Sequence, residues 1–93
     1  MLARIDGTSV QTTQDVVRQI SEQLYPDEGF GLNLDSLFDK LSRDVPGPVE
    51  IVWDDAYTSY QRLGAERFGV TCAILARVAG EERDPQDFMV QLR

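Results

Sequence analysis

Three short strand-like runs, each separated from the next by two helical patterns, restrict the fold of this chain more than any other feature. They are "LARID" at 2–6, the β-branched stretch 49–53 that ends in Trp53, and "DFMVQL" at 87–92. In the last run Phe88, Val90 and Leu92 alternate onto one face. Parallel neighbours need long helical crossovers, whereas antiparallel ones can be joined by a tight hairpin. The order β-α-α-β-α-α-β therefore predicts an α/β fold: a three-stranded parallel sheet with four helices packed mainly on one side. Arg4, Glu50 and Gln91 fall on the opposite, wetter face. The 93 residues suffice for one core, so residues 1–93 are expected to make a single domain.

The helices carry local signals of their own. Thr12 is placed to cap the first, with Asp15 three residues on, and Val16, Val17, Ile20 and Leu24 form its apolar face. "YPDEGFG" at 25–31 is a break punctuated by Pro26, Gly29 and Gly31. Asn33 then caps a second helix, in which Leu34, Leu37, Phe38 and Leu41 make a buried stripe. Asp54 or Asp55 can cap the third, and Gly64 stops it. A fourth, over 65–79, is expected to bury Phe68, Cys72, Leu75 and Val78.

Charge narrows the function. Sixteen acidic against nine basic residues leave a net charge of −7 and a pI near 4.3. Such a surface repels nucleic acid and anionic membranes, and it attracts basic partners or simply keeps the protein soluble. No apolar run approaches the ~20 residues that cross a bilayer. The N-terminal segment meets an acid at Asp6 and does not read as a signal peptide, and one cysteine cannot form an internal disulfide. A cytoplasmic location is expected.

Catalytic patterns are missing. With no histidine, neither a Ser-His-Asp nor a Cys-His arrangement can form. Cys72 in "VTCAIL" reads as core packing, and no phosphate-binding loop or zinc spacing is present. No cofactor or metal is expected, and no enzyme activity. Asp54-Asp55 reads as a helix start and Glu81-Glu82 as a solvated helix end. The pair Asp35 and Asp39 is less simple. Four residues apart, they lie side by side off the apolar stripe, and like charges so placed cost an isolated helix about 0.2–0.5 kcal/mol. On spacing alone a solvated face comes before an anionic binding surface as their explanation.

At this segment the sequence resembles the barstar family of ribonuclease inhibitors. "GFGLNLDSLFDKL" at 29–41 carries the family's aromatic-Gly-x-Asn-Leu-Asp-x-Leu-aromatic-Asp-x-Leu pattern. "IDG" at 5–7, Asp15 and Leu24, and the stretch from Pro48 to Trp53 extend the likeness over about the first 53 residues. The resemblance implies three parallel strands and four helices, as the element order does. It also implies a cytoplasmic inhibitor that plugs the active site of a small, basic, secreted guanyl-specific ribonuclease in a one-to-one complex. By position, Asp35 and Asp39 take the places of acids that meet catalytic cations where RNA phosphates would lie. Phe38 stands at the interface edge, Gly31 and Asn33 in the loop that approaches the enzyme, and Ser36 in the same contact stretch.

The family often has two aromatics before the glycine. Here only Phe30 remains, with Gly29 in place of the other. Asp44 stands where the family can carry a further contact aromatic, and Glu81 or Glu82 is the counterpart of an acid on the last helix. These departures imply a target whose rim differs from that of barnase. The alternative is an immunity-type acidic module of the same fold that neutralises another basic nuclease or toxin.

Overall fold

The computed structural model describes residues 1–26 and 32–93. Strands β1 (Leu2–Asp6), β2 (Val49–Asp54) and β3 (Phe88–Leu92) form one parallel sheet in the order β1-β2-β3. Helices α1 (Thr13–Leu24) and α2 (Leu34–Asp39) lie in the first crossover, and α3 (Ala56–Leu63) and α4 (Ala65–Arg77) in the second. This is the α/β architecture that the element order predicts. The register aligns Ile5 with Trp53 and Ile51 with Val90. Ala3, Ile5, Val49, Ile51, Trp53 and Phe88 enter the same core as the helical residues Val16, Val17, Ile20, Leu37 and Leu75. Arg4 and Gln91 on the other face are exposed, and Glu50 is partly so.

Helix α1 begins as its sequence indicates. The Thr12 hydroxyl accepts from Asp15 N–H, and the Asp15 carboxylate accepts from the N–H groups of Gln11 and Thr12 at 2.8 and 2.9 Å. These bonds, the one from Gln11 foremost, hold the Asp15 carboxyl below the ordinary value of 3.8. Further along α1, two glutamines close the outer edge of the sheet. Gln23 accepts from Arg4 N–H and donates to Arg4 C=O, while Gln19 does the same at Asp6. Four residues of helix rise about 6 Å and two residues of strand about 6.6 Å, so the two spacings match. The edge groups of β1 are thereby occupied as another strand would occupy them.

The end of β2 is fixed by close approach. Trp53 Nε1 donates to the Ser59 hydroxyl, which donates to Gly7 C=O at 3.0 Å, all within the interior. A Cβ at Gly7 would lie 2.3 Å from the carbonyl oxygens of Asp54 and Asp55, so only glycine fits there. Asp55 stands at the N-cap position of α3, one of the two places the sequence offers, but neither aspartate's side chain makes a capping bond there. Asp54 instead accepts two 3.1 Å bonds from the Arg4 guanidinium. Asp55 adopts the left-handed conformation, φ 52°, with no side-chain cap. Ala56 N–H donates to Arg93 C=O, which supplies part of what a cap would give. Gly64 does end α3, at φ 86°.

Two helices change pitch at their ends. After Asp39 and after Arg77 the chain continues in wider turns, Lys40–Asp44 and Val78–Glu82, closed by Val45 N–H to Lys40 C=O and Arg83 N–H to Val78 C=O. The buried line of the fourth helical segment runs through Thr71, Leu75 and Val78, so Phe68 and Cys72 fall on its shoulder, only half-buried. Partial burial pushes the Cys72 thiol up from its ordinary value. Leu92 also departs from expectation. At the end of an outer strand it is about half exposed.

The Asp15 bonds give the fold an acid-sensitive element. A carboxyl whose folded pKa is depressed stabilises the native state fully above its unfolded value, and that contribution disappears as pH falls through the folded one. Asp15→Asn should therefore lower the melting temperature at neutral pH. The gap from wild type should narrow below about pH 3.8, as thermal denaturation between about pH 7 and 2.5 can show.

Candidate functional site

Helix α2 starts at Asn33, whose side-chain oxygen accepts from Ser36 N–H at 2.8 Å. The Ser36 hydroxyl donates in turn to Asn33 C=O at 3.1 Å. These contacts fix the first turn from both sides, so Asn33 and Ser36 are tied into the helix start. Leu37 and Leu41 are fully buried, whereas Leu34 and Phe38 are partly buried against the core. Asp35 and Asp39 are exposed, and among the described residues neither carboxylate has an ion-pair or hydrogen-bond partner. Asp35 lies in the first turn, where the helix dipole favours an anion. Asp39 shares an open depression of about 300 Å3 with Ser36, Lys40, Arg43 and Asp44.

The expected residues differ in how freely their charge is presented. Asp44 is engaged by Lys40, whose buried side chain places Nζ 3.0 Å from the carboxylate. Glu81 lies in the turn after α4 and pairs with Arg77 at 3.4 Å. The Arg77 guanidinium sits over the Phe38 ring, 4.8 Å from its centroid. Phe38 and Glu81, distant in sequence, are thus joined through one arginine into a strip beside the acidic helix. Glu82 is exposed. Phe30 and Gly31 lie outside the described residues.

A buried arginine anchors the far end of this surface. Arg83 Nη1 donates to the carbonyls of Leu41 and Val45 at 3.0 and 2.9 Å, satisfying backbone acceptors at the end of the turn that follows α2. Its Nε and Nη2 grip Asp87 at 2.8 and 2.6 Å, just ahead of β3. A side chain at Gly47 would displace this clamp, because a Cβ would fall 2.0 Å from the Asp87 carboxylate and 2.3 Å from Arg83 Nη2. Sequence reasoning missed this clamp. An Arg and an Asp four residues apart around Pro85 were a visible signal, but the carbonyls of a distant segment were not.

The geometry offers anions on a supported helix. Among the described residues no cluster of metal-ligating side chains occurs, and no helix is long and apolar enough to cross a membrane. Comparison with known families assigns the class: the family described as Barstar (barnase inhibitor) matches residues 1–93, the whole chain. The protein belongs to that family, whose members are ribonuclease inhibitors and not enzymes. Membership supports a ribonuclease-inhibitor role in general and a ribonuclease as the partner. No curated protein matches the chain.

The clamp should be a large local source of stability. Arg83→Met keeps much of the aliphatic volume but leaves the Leu41 and Val45 carbonyls without that donor. It should cost about 2–4 kcal/mol by urea denaturation. Asp87→Asn, at a carboxylate that remains partly solvated, should cost less.

Proposed function

We propose that this protein blocks the active site of a small, basic, secreted guanyl-specific ribonuclease by presenting α2 and the loop before it. The observation that carries this is that Asp35 and Asp39 are exposed and, among the described residues, have unpaired carboxylates, on a helix whose other face is locked into the core. Carboxylates held this way stand in for RNA phosphates. Each can meet an arginine, lysine or protonated histidine of the enzyme without first breaking a bond to any of the described residues.

Asp39 lies at the centre of the contact and Asp35 at the helix start. Asn33, Ser36, Gly31 and Phe30 line the approach, while Phe38, Asp44 and Glu81 form its edges. Asp44 and Glu81 come already paired, so their net attraction to a partner is weaker than that of the two free acids. Residues 1–93 act as one module, and the complex is one-to-one. The protein works in the cytoplasm, where it protects its producer from the enzyme before export. Gly29, in place of a stacking aromatic, favours a target with a different rim from barnase.

Because long-range attraction acts on encounter, the association rate with such a ribonuclease should fall steeply as salt rises. Exposed charges are screened over about 10 Å at 0.1 M ionic strength. Dissociation should change less, and stopped-flow association rates that stay constant with salt would count against steering by the −7 charge.

The site assignment is tested by single substitutions measured by titration calorimetry. Asp39→Ala should weaken binding most, by roughly 3–5 kcal/mol, because it leaves an enzyme cation desolvated and without its counter-charge. Asp35→Ala should follow. Asp39→Ala should leave stability unchanged or slightly raised, since one like-charge contact disappears, whereas Asp35→Ala also gives up a favourable place in the first turn and should leave it unchanged or slightly lowered. Asp54→Ala is the control of equal charge. Its exposed pairing with Arg4 should make it worth at most about 1 kcal/mol of stability and little affinity. Equal losses of affinity for Asp39→Ala and Asp54→Ala would mean that only net charge is recognised.

A further inference from the structure

The two edges of the sheet are finished differently. At β1 the outward main-chain groups of Arg4 and Asp6 are taken by Gln23 and Gln19. At β3 the pairing with β2 uses Asp87, Met89, Gln91 and Arg93, as the bonds Val49 N–H to Asp87 C=O and Arg93 N–H to Trp53 C=O and the register require. The main-chain groups of Phe88, Val90 and Leu92 therefore point outward. Phe88 N–H donates to Asp84 C=O. Among the described residues, no bond from outside the sheet reaches the N–H or C=O of Val90 or Leu92. Beside this edge lies an apolar groove of about 240 Å3, lined by Cys72, Leu75, Ala76, Val90 and Leu92.

We infer that the β3 edge is a self-association surface, on which a second copy of this chain adds its own β3 antiparallel about a two-fold axis at Val90. An open strand with an apolar flank is a template for strand addition. A second copy is favoured because the edge is complementary to itself. With Val90 opposite Val90, each Val90 N–H meets the other copy's Val90 C=O, and each Leu92 N–H meets the other copy's Phe88 C=O. The same register sets Arg93 opposite Asp87 of the second copy at both ends of the seam, where the outer side of a carboxylate already held by Arg83 stays exposed. Between those ends β3 carries no charge, so a chain of net charge −7 brings no like charges together along the strands themselves. The grooves of the two copies meet over the seam, covering Val90, Leu92 and the partly buried side chain of Cys72. Their two three-stranded sheets then run on as one.

Sedimentation velocity over a concentration series from about 1 μM to 1 mM, with amide hydrogen exchange on the same wild-type samples, tests this directly. A reversible dimer should appear as concentration rises. The exchange of Val90 and Leu92 N–H, and the reaction of Cys72 with a thiol reagent, should slow in step with it. Leu92→Lys puts a charge into the seam at a position already exposed in the monomer, and should weaken dimerisation at least about tenfold. Val90→Pro removes an outward N–H that β2 does not use, and should do the same. A protein that stays monomeric throughout overturns the inference. So does a dimer in which Val90 and Leu92 exchange as fast as in the monomer, or one that both folded variants form as well as wild type.

Discussion

Parallel pairing is the constraint from which the other parts of this fold follow. A strand that must lie parallel to its neighbour has to return the whole length of the sheet, and here each return is made by two helices. Placing those helices over one face gives Ala3, Ile5, Ile51, Trp53 and Phe88 their cover and leaves the other face to Arg4, Glu50 and Gln91. The short second helix of the first crossover becomes a surface element with one buried side. Whatever it presents outward is then free to serve binding and not packing.

Three side-chain devices tie the elements of this small fold together. Gln19 and Gln23 close the β1 edge, the Trp53–Ser59–Gly7 chain ties the end of β2 to the turn after β1, and Arg83 joins the segment before β3 to the end of the acidic helix. The last bears most directly on function. The guanidinium has several directional donors, so one residue can hold two carbonyls and a carboxylate at once. Asp35 and Asp39 are therefore carried on backbone that is capped at its start by Asn33 and pinned beyond its end by Arg83. Less ordering remains to be done when a partner binds.

Much of this was legible in the sequence because it depends on local signals. The capping box at Thr12 and Asp15, the Asn33 cap, the Gly64 stop and the strand positions are each written in a few adjacent residues. The departures arise where a distant partner decides. Asp54 is drawn away from α3 by Arg4, fifty residues earlier. Phe68 and Cys72 lose their place in the core because the buried line passes through Thr71. Lys40 is buried because the helix widens after Asp39 and Asp44 supplies a counter-charge. The acids of α2 could be picked out by their spacing, but not their freedom from internal partners. That depends on where every other cation of the described chain is held.

Inhibition by occupation of the active site makes a demand that inhibition by remote binding does not. A basic guanyl-specific ribonuclease titrated with this protein should lose RNA cleavage linearly, to completion at one equivalent. A guanosine nucleotide bound in the enzyme's active site should slow the approach to that endpoint in proportion to its occupancy. Full cleavage in the presence of excess protein across such ribonucleases, or inhibition indifferent to the nucleotide, would contradict an acidic helix acting in place of RNA phosphates.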